Sequence, residues 1–223
     1  MTGISWNHRT FVYGASGHGK VVADILLTRG IAIAGFIDDN SDSREILGLP
    51  IVGDHNWLEQ QAKSASVAVV LGIGDHISRQ AVARSCIACH IELQTAVHPS
   101  ARVASSARVG AGVVVMAGSV INPDAQIGAG AIINTGAIVE HDCQVGEFAH
   151  LSPNSVMGGG AVLGSLSWLG IGATIIHGVR VGSGTIVGAG AAVIRNLPDD
   201  VVAVGVPAVV RRKISHGERT GGL

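Results

Sequence analysis

The segment 134–143, Asn-Thr-Gly-Ala-Ile-Val-Glu-His-Asp-Cys, carries the residue types best suited to chemistry in this sequence. His141 can act as a general base, because the ordinary pKa of an imidazole lies near neutral pH. Asp142 follows it directly, and an adjacent carboxylate could orient the ring and stabilise its charged form. A single surface histidine can equally be incidental, so the pair alone leaves both interpretations open.

A glycine-rich segment, Gly14 to Lys20 (Gly-Ala-Ser-Gly-His-Gly-Lys), joins a short apolar run to a stretch with helical spacing. Such a turn brings backbone amides close to phosphate, helped by the dipole of the helix. The glycines run G-x-x-G-x-G, which is neither the dinucleotide fingerprint nor a P-loop. The segment is therefore a candidate phosphate cradle or a tight turn without a ligand. Asp38 and Asp39 end the next predicted strand, where a ribose or base contact, or a solvated loop, would fall.

These residues lie in two halves of different character, and the second half is a repeat. An aliphatic residue returns every six positions over 17 hexads, and a small residue sits four places after each one, with Leu197 as the exception. A period of six fits neither a helix nor a simple strand, but it fits short strands separated by tight turns. Three such sides make a triangular coil of 18 residues, with the aliphatic inside and Gly, which often follows it, giving the turns freedom. The aliphatic positions are Val97, Val103, Val109, Val115, Ile121, Ile127, Ile133, Val139, Val145, Leu151, Met157, Leu163, Leu169, Ile175, Val181, Val187 and Val193.

The first half lacks the hexad and alternates predicted strands (Phe11 to Tyr13, Ile31 to Ile37, Val67 to Ile73) with predicted helices (Val21 to Arg29, Ile77 to Cys89). That order indicates a small parallel α/β unit. We therefore predict a Rossmann-like α/β domain over residues 1–92, followed by a parallel β-helix domain over residues 93–223.

Composition and charge exclude several classes of protein. With 47% hydrophobic and 14% charged residues the chain can build a packed core, and a net charge of -1 gives no surface for nucleic acid. Aliphatic runs are broken well short of the roughly 20 residues that span a bilayer, and Met1 to Thr10 has no apolar signal-peptide core. We expect a cytoplasmic protein with no nucleic-acid partner, no membrane insertion and no disulfide framework.

Three further histidines fall in the repeat. His177 lies 36 residues, or two coils, after His141, so both should face the same side about 10 Å apart. His150 lies nine residues after His141 and falls on a different side of the prism, although the two could meet across a subunit interface. His98 stands beside Pro99 and is expected to be structural.

The layout of Gly14 to Lys20, Asn134-Thr135-Gly136, His141-Asp142 and Gly205-Val206-Pro207-Ala208 resembles the bacterial nucleotide-sugar acetyltransferases of the hexapeptide-repeat family. These include N-acetyltransferases of the bacillosamine and perosamine routes and related sialic acid O-acetyltransferases. The resemblance implies a left-handed β-helix and a homotrimer with active sites between neighbouring prisms.

The resemblance also assigns roles in acetyl transfer. It implies that His141 is the general base for the attacking amine and that Asp142 supports it. It places His150 near the acetyl group, and it lets the backbone amide of Gly159 donate to the thioester oxygen, where it would stabilise the developing oxyanion.

The resemblance assigns a second set of residues to the sugar nucleotide. Gly17 and His18 would hold the phosphates, Asp38 or Asp39 would lie near the base, and Asn134 would lie close to the substrate. The basic residues 211–213 could meet the phosphates of the coenzyme or form a solvated end.

Two other interpretations of the sequence are weaker. The segment Cys86-Ile87-Ala88-Cys89-His90 spells a c-type haem signature, but it falls where a helix end is expected. Zinc carbonic anhydrases share the solenoid but need histidines spaced five apart, whereas the spacings here are 43, 9 and 27. We predict no metal and no permanently bound cofactor.

The sequence thus predicts transfer of acetyl from acetyl-CoA to the amino group of a UDP- or GDP-linked 4-amino-4,6-dideoxy sugar, by direct attack with no acyl-enzyme. The alternatives are O-acetylation of a sugar hydroxyl, as in the sialic acid enzymes, and a nucleotide-sugar binding module without catalysis.

Overall fold

A computed structural model of the chain describes residues 9–214, so the outer ends of the predicted domains, residues 1–8 and 215–223, lie outside it. The first unit contains six strands and three helices. In chain order they are β1 Arg9–Tyr13, α1 Gly17–Thr28, β2 Ile33–Ile37, β3 Glu45–Ile46, β4 Leu49–Gly53, α2 His55–Ala62, β5 Val67–Leu71, α3 His76–Ala88 and β6 Glu92–Leu93.

The six strands form one sheet in the order β3-β4-β2-β1-β5-β6, parallel except for the β3–β4 pair. Strand β5 is buried along its whole length and β1 along all but its first residue, as expected for a parallel sheet covered on both faces. The predicted strands and helices correspond to β1, β2, β5, α1 and α3 within a few residues. Helix α2 was not predicted from the sequence; its N-terminus is capped by the Asp54 carboxylate, which accepts a hydrogen bond from the Trp57 N–H.

The second unit is the predicted left-handed parallel β-helix. Every hexad aliphatic ends a two-residue strand, and strands one coil apart pair in register, as Ile138 does with Val156. The strands are β7 Ala96–Val97, β8 Arg102–Val103, β9 Arg108–Val109, β10 Val114–Val115, β11 Val120–Ile121, β12 Gln126–Ile127, β13 Ile132–Ile133, β14 Ile138–Val139, β15 Gln144–Val145, β16 His150–Leu151, β17 Val156–Met157, β18 Val162–Leu163, β19 Trp168–Leu169, β20 Thr174–Ile175, β21 Arg180–Val181, β22 Ile186–Val187 and β23 Ala192–Val193.

Three faces result, which we number in the order in which the chain visits them. The first face contains β7, β10, β13, β16, β19 and β22, the second runs from β8 to β23, and the third from β9 to β21. Strands β24 Val201–Val204 and β25 Val209–Lys213 extend the first face, with β25 antiparallel at its edge. The basic residues 211–213 therefore belong to an edge strand, in which they are exposed.

Left-handed backbone recurs at every sixth residue from 112 to 190, three places after each aliphatic. Nine of these turn positions are glycine, which adopts positive φ without strain. Phe148 (φ 55°) and Leu166 (φ 58°) are exceptions, and each bulky residue costs about 1 kcal/mol or more in this conformation.

The glycines that directly follow the aliphatic positions serve a different purpose from the one predicted. They are not the left-handed residues of the turns. A Cβ at Gly110, Gly128 or Gly170 would lie 2.6–2.7 Å from a backbone nitrogen of the next coil. These glycines therefore permit the close stacking of successive coils.

The α/β unit packs on the outer surface of the first face. Helix α1 and strands β1 and β2 share a buried core with Ala96, Val114 and Ile132, the outward residues of the first three strands of that face. His150, Trp168 and Ile186 continue the same outward column. The column is thus apolar beneath the α/β unit and gains a titratable side chain at His150.

Candidate functional site

His141 lies in the turn between the second and third faces, directly after β14. Its Nδ1 is 2.7 Å from Oδ2 of Asp142, and both side chains are about two-thirds exposed, at 63% and 66%. Asp142 occupies the left-handed turn position, with φ 59°. The hydrogen bond to Asp142 raises the pKa of His141 above its ordinary value. With Nδ1 held by the carboxylate, Nε2 is the nitrogen left to accept a proton.

Gly159 lies one coil further in the same column as His141, and His177 one coil further again, as the 36-residue spacing predicts. The imidazole of His141 rests on Gly159, since a Cβ there would lie 2.6 Å from both Cε1 and Nε2 of the ring. The N–H of Gly159 donates to no backbone acceptor within residues 9–214. His177 is exposed.

A cavity of about 390 Å³ opens at the edge of the first face, lined by Asn134, His150, Ser152, Trp168 and Ile171 among others. His150 is only 4% exposed, and its Nε2 lies 3.0 Å from the side-chain amide nitrogen of Asn134. The indole of Trp168 stacks at a ring-centre distance of 4.2 Å. Burial, reinforced by the charge of Arg79, keeps the pKa of His150 well below its ordinary value. His150 is therefore a neutral ring at pH 7.

A second cavity, of about 560 Å³, lies at the carboxyl edge of the parallel sheet, next to the N-termini of α1 and α3. Asp38 accepts the N–H groups of Ala15 (2.6 Å) and Asn40 (2.9 Å) through its two carboxylate oxygens. Asp39 accepts the Tyr13 hydroxyl and the His55 N–H, each at 2.8 Å. Both aspartates therefore shape the cavity wall and keep oxygen lone pairs for a ligand.

The glycines of the turn from β1 to α1 divide into two kinds. A Cβ at Gly14 would lie 2.7 Å from the Gly72 carbonyl, and one at Gly19 would overlap the Gly14 carbonyl, so both are needed for close packing. A Cβ at Gly17 would meet nothing within 4 Å. Helix α1 begins at Gly17 without a side-chain cap, whereas aspartates cap α2 and α3. Its first N–H groups are consequently available to an anion.

His18 lies near the lining of both cavities. Its ring centre is 6.1 Å from that of His150, and it lies beside Gly74, which lines the second cavity. The Nε2 of His18 is buried and has no hydrogen-bond partner among residues 9–214. Burial and the charge of Arg79 lower the pKa of His18 to about 4, so this ring too is neutral at pH 7.

The structure gathers the predicted residues into two groups. Asp38, Asp39, Asn134 and His150 line the two cavities and Gly17 and His18 lie next to their lining residues, while His141, Asp142 and Gly159 lie at the corner between the second and third faces. One chain does not bring His141 beside His150.

Sequence reasoning missed Trp168, His76 and Arg79. Trp168 follows His150 in the outward column, a position that the hexad register could have revealed. His76 is 5% exposed, and its ring centre is 6.3 Å from Trp168. Arg79 is fully buried.

The three cysteines are free thiols, with Cys89 at the end of α3 and Cys143 packed in the β-helix core. Within residues 9–214 no three metal-ligating side chains cluster, and no helix is long and apolar enough to cross a membrane. His98 accepts hydrogen bonds from Ser100 in its own turn.

Comparison with known proteins matches both units. Residues 9–86 match the PglD N-terminal domain family. A histidine-to-asparagine variant of perosamine N-acetyltransferase from Caulobacter crescentus, solved with CoA and GDP-perosamine, is 43% identical, with a TM-score of 0.89, over 92% of this chain and 97% of that one. The acetyltransferase domain of PglB from Neisseria gonorrhoeae, solved with acetyl coenzyme A, is 32% identical, with a TM-score of 0.85, over 92% and 100%.

WeeI from Acinetobacter baumannii shares the fold at 24% identity, with a TM-score of 0.83, over 92% of this chain and 100% of that one. A search among curated proteins gave no match.

Proposed function

Because the chain belongs to the family of bacterial nucleotide-sugar N-acetyltransferases that use acetyl-CoA, we propose that its acceptor is a GDP-linked 4-amino-4,6-dideoxy sugar and that His141 is the general base. The observation that carries the role of His141 is its geometry: Asp142 holds Nδ1 at 2.7 Å, and Nε2 stays free at an exposed corner. The GDP moiety is supported by the 43% identical relative, whose complex contains GDP-perosamine.

In this mechanism the sugar amine attacks the thioester carbonyl of acetyl-CoA. The amine nitrogen adds to the carbonyl carbon to give a tetrahedral oxyanion, and the amine proton passes to Nε2 of His141. Collapse of the oxyanion breaks the C–S bond, and the CoA thiolate that leaves takes the proton from His141 to give free CoA. The N–H of Gly159, which lies next to the imidazole, would donate to the developing oxyanion. Both substrates bind before transfer, so no acyl-enzyme is needed.

The nucleotide is assigned to the cavity at the carboxyl edge of the sheet. The uncapped N-terminus of α1 at Gly17 and His18 would hold the pyrophosphate. Asp38 and Asp39 would accept from N–H groups of the base or from ribose hydroxyls, and the sugar would extend past His18 toward Asn134 and His150.

The complete site requires a second copy of the chain, and we assign it to a homotrimer. His141 and the cavity that contains His150 lie on different sides of one prism, so only a neighbouring chain can join them. Exposed isoleucines flank both parts of the proposed site. Ile171 lines the cavity that contains His150, and Ile176 and Ile194 lie beside the column of His141. Since acetyl-CoA and nucleotide sugars are cytoplasmic metabolites, we place the enzyme in the cytoplasm.

The proposal is tested by thiol release from acetyl-CoA against GDP-, UDP- and dTDP-linked 4-amino-4,6-dideoxy sugars. We expect release with the GDP-linked sugar and an amide at C4 in the product, identified by NMR. Matched 4-hydroxy sugars are the control for O-acetylation. Release with hydroxy sugars only, or with none of the amino sugars, would contradict the proposal.

A further inference from the structure

Arg79, on α3 of the α/β unit, is a fully buried cation whose partners are all backbone carbonyls. Its guanidinium donates to Ile73 O (3.0 Å) and Gly74 O (2.6 Å) in its own unit. It also donates to Gly130 O (2.8 Å) and Phe148 O (2.7 Å) in the β-helix. A single side chain thus binds both units through four carbonyl groups.

This arrangement is costly, because a buried charge without a carboxylate partner loses its hydration without the compensation of an ion pair. Among residues 9–214 no carboxylate lies within ion-pair distance of the guanidinium. Burial lowers the pKa of Arg79 to about 9, so it remains charged at pH 7. An apolar residue could fill such a position without this cost, but it could not donate to carbonyls of both units as the five N–H donors of a guanidinium can.

The four acceptor carbonyls belong to segments that border the two cavities. Ile73 and Gly74 form the wall of the nucleotide cavity, and Gly74 lies beside His18. Phe148 precedes His150 by two residues, and Gly130 occupies the same turn position as Phe148, one coil earlier. The guanidinium therefore links the wall of the cavity at the carboxyl edge of the sheet to the coil that carries His150, which lines the other cavity.

Phe148 completes the joint from the β-helix side. It holds a left-handed backbone at φ 55°, and its ring covers Gly130, where a Cβ would clash with it. The ring packs against Leu71 and Ala83 of the α/β unit. The strained left-handed turn at Phe148 therefore lies where the β-helix contacts the α/β unit.

We propose that Arg79 is a positioning residue for acetyl transfer: by clamping the loop at Ile73–Gly74 to the turns at Gly130 and Phe148, it aligns the nucleotide cavity with His150 and Asn134. This inference rests on the proposed function, because the alignment matters only if a sugar must extend from one cavity to the other. Arg79 touches no substrate and acts through the loop and through the coil that carries His150.

The test compares Arg79→Gln and Arg79→Lys with Arg84→Gln, an exposed arginine on the same helix. Binding of GDP alone and CoA alone is measured by calorimetry, and kcat is measured with the nucleotide sugar. We expect Arg79→Gln to keep both dissociation constants within about threefold of wild type while kcat falls about 10²-fold, the size of effect that follows from a misplaced substrate. The fall in kcat should be smaller in Arg79→Lys, and the kcat of Arg84→Gln should match that of wild type.

Two outcomes would overturn the inference: a folded Arg79→Gln variant with kcat within twofold of wild type, or one that loses GDP or CoA binding together with kcat. If Arg79→Gln does not fold, Phe148→Leu keeps the cation but loosens the same joint, and wild-type kcat in that variant would overturn the inference equally.

Amide hydrogen exchange separates this inference from the proposed function. Exchange in residues 73–75 and 148–150 should be faster in Arg79→Gln than in wild type, whatever the acceptor. Unchanged exchange there would contradict the clamp, whereas a wild-type protein that transfers no acetyl would contradict only the proposed function.

Discussion

His141 and His150 are both imidazoles, but their surroundings drive them in opposite directions. His141 is exposed, and its bond to Asp142 raises its pKa, which makes it the stronger base. His150 is buried against Trp168, and burial with the nearby charge of Arg79 lowers its pKa. Such a separation lets one residue exchange protons while the other stays a neutral hydrogen-bonding group.

Replacing Asp142 by Asn should shift the pH dependence of kcat. As the proposed general base, His141 would act in its neutral form, so kcat should fall as the pH drops through its pKa. Loss of the carboxylate lowers that pKa, so the acidic limb should move to lower pH while the plateau rate falls because the base is weaker. Asn tolerates the left-handed turn, so the fold should be retained.

Asp124→Asn is the matched control for this profile, since Asp124 occupies the same left-handed turn position one coil earlier, after Pro123. It should leave the profile unchanged. An acidic limb that stays in place in Asp142→Asn would exclude Asp142 from the tuning of His141.

A methyl group at position 159 should displace the imidazole of His141. In Gly159→Ala the new Cβ would lie 2.6 Å from Cε1 and Nε2 of His141, so the imidazole must move. We expect kcat to fall about 10²-fold through misplacement of the base. In a double-mutant cycle, Gly159→Ala should cost little more once His141 is already Ala, and additive losses would show that the two residues act separately.

Contacts between residues adjacent in the chain could be predicted from the sequence, whereas contacts between residues far apart in the chain could not. His141 and Asp142 are neighbours in the chain, so their contact could be expected from the sequence. Arg79 binds the backbone carbonyls of residues 51 and 69 positions away in the chain. Because every residue type has a backbone carbonyl, the sequence does not show which carbonyls accept these hydrogen bonds. No sequence signal could have identified this arginine.

At the scale of elements, the register of the β-helix was predictable because a fixed period assigns every residue to a face. The turn chemistry was predicted only in part. Where glycine directly follows an aliphatic residue it permits the close approach of successive coils, while the left-handed position comes two residues later. Helix α2 was missed because its eight residues are mostly polar and bury only Leu58.

The two glycines of the β1–α1 turn should respond differently to alanine. A Cβ at Gly19 would overlap the Gly14 carbonyl, so Gly19→Ala should lower the free energy of unfolding by about 2–3 kcal/mol. Gly17→Ala, where a Cβ meets nothing, should change it by no more than about 0.5 kcal/mol. Denaturant unfolding of both variants measures the difference, and equal losses would refute this division of roles.

At the scale of the whole molecule, the separation of His141 from His150 makes a prediction about mixed oligomers. His141→Ala and His150→Ala should each be inactive. If every site combines His141 of one chain with His150 of its neighbour, randomly mixed trimers formed at equal amounts should regain about a quarter of the wild-type activity. Refolding each variant alone is the control. No recovery on mixing would place both residues in a site within one chain.

The architecture of the whole molecule was the most predictable level, since 17 hexads leave few alternatives. The joint between the two units was not predictable, because it depends on outward residues such as Ile132 and on the turn at Phe148, which have no periodic signature.

If His141 takes the amine proton during direct transfer, its removal must slow turnover, which is measured as kcat of His141→Ala with the GDP-linked amino sugar. We expect a fall of about two to four orders of magnitude, with unchanged oligomeric state and unchanged affinity for GDP and CoA. His177→Ala, two coils along the same column, should keep its kcat at saturating acetyl-CoA. Wild-type turnover by His141→Ala would contradict the account.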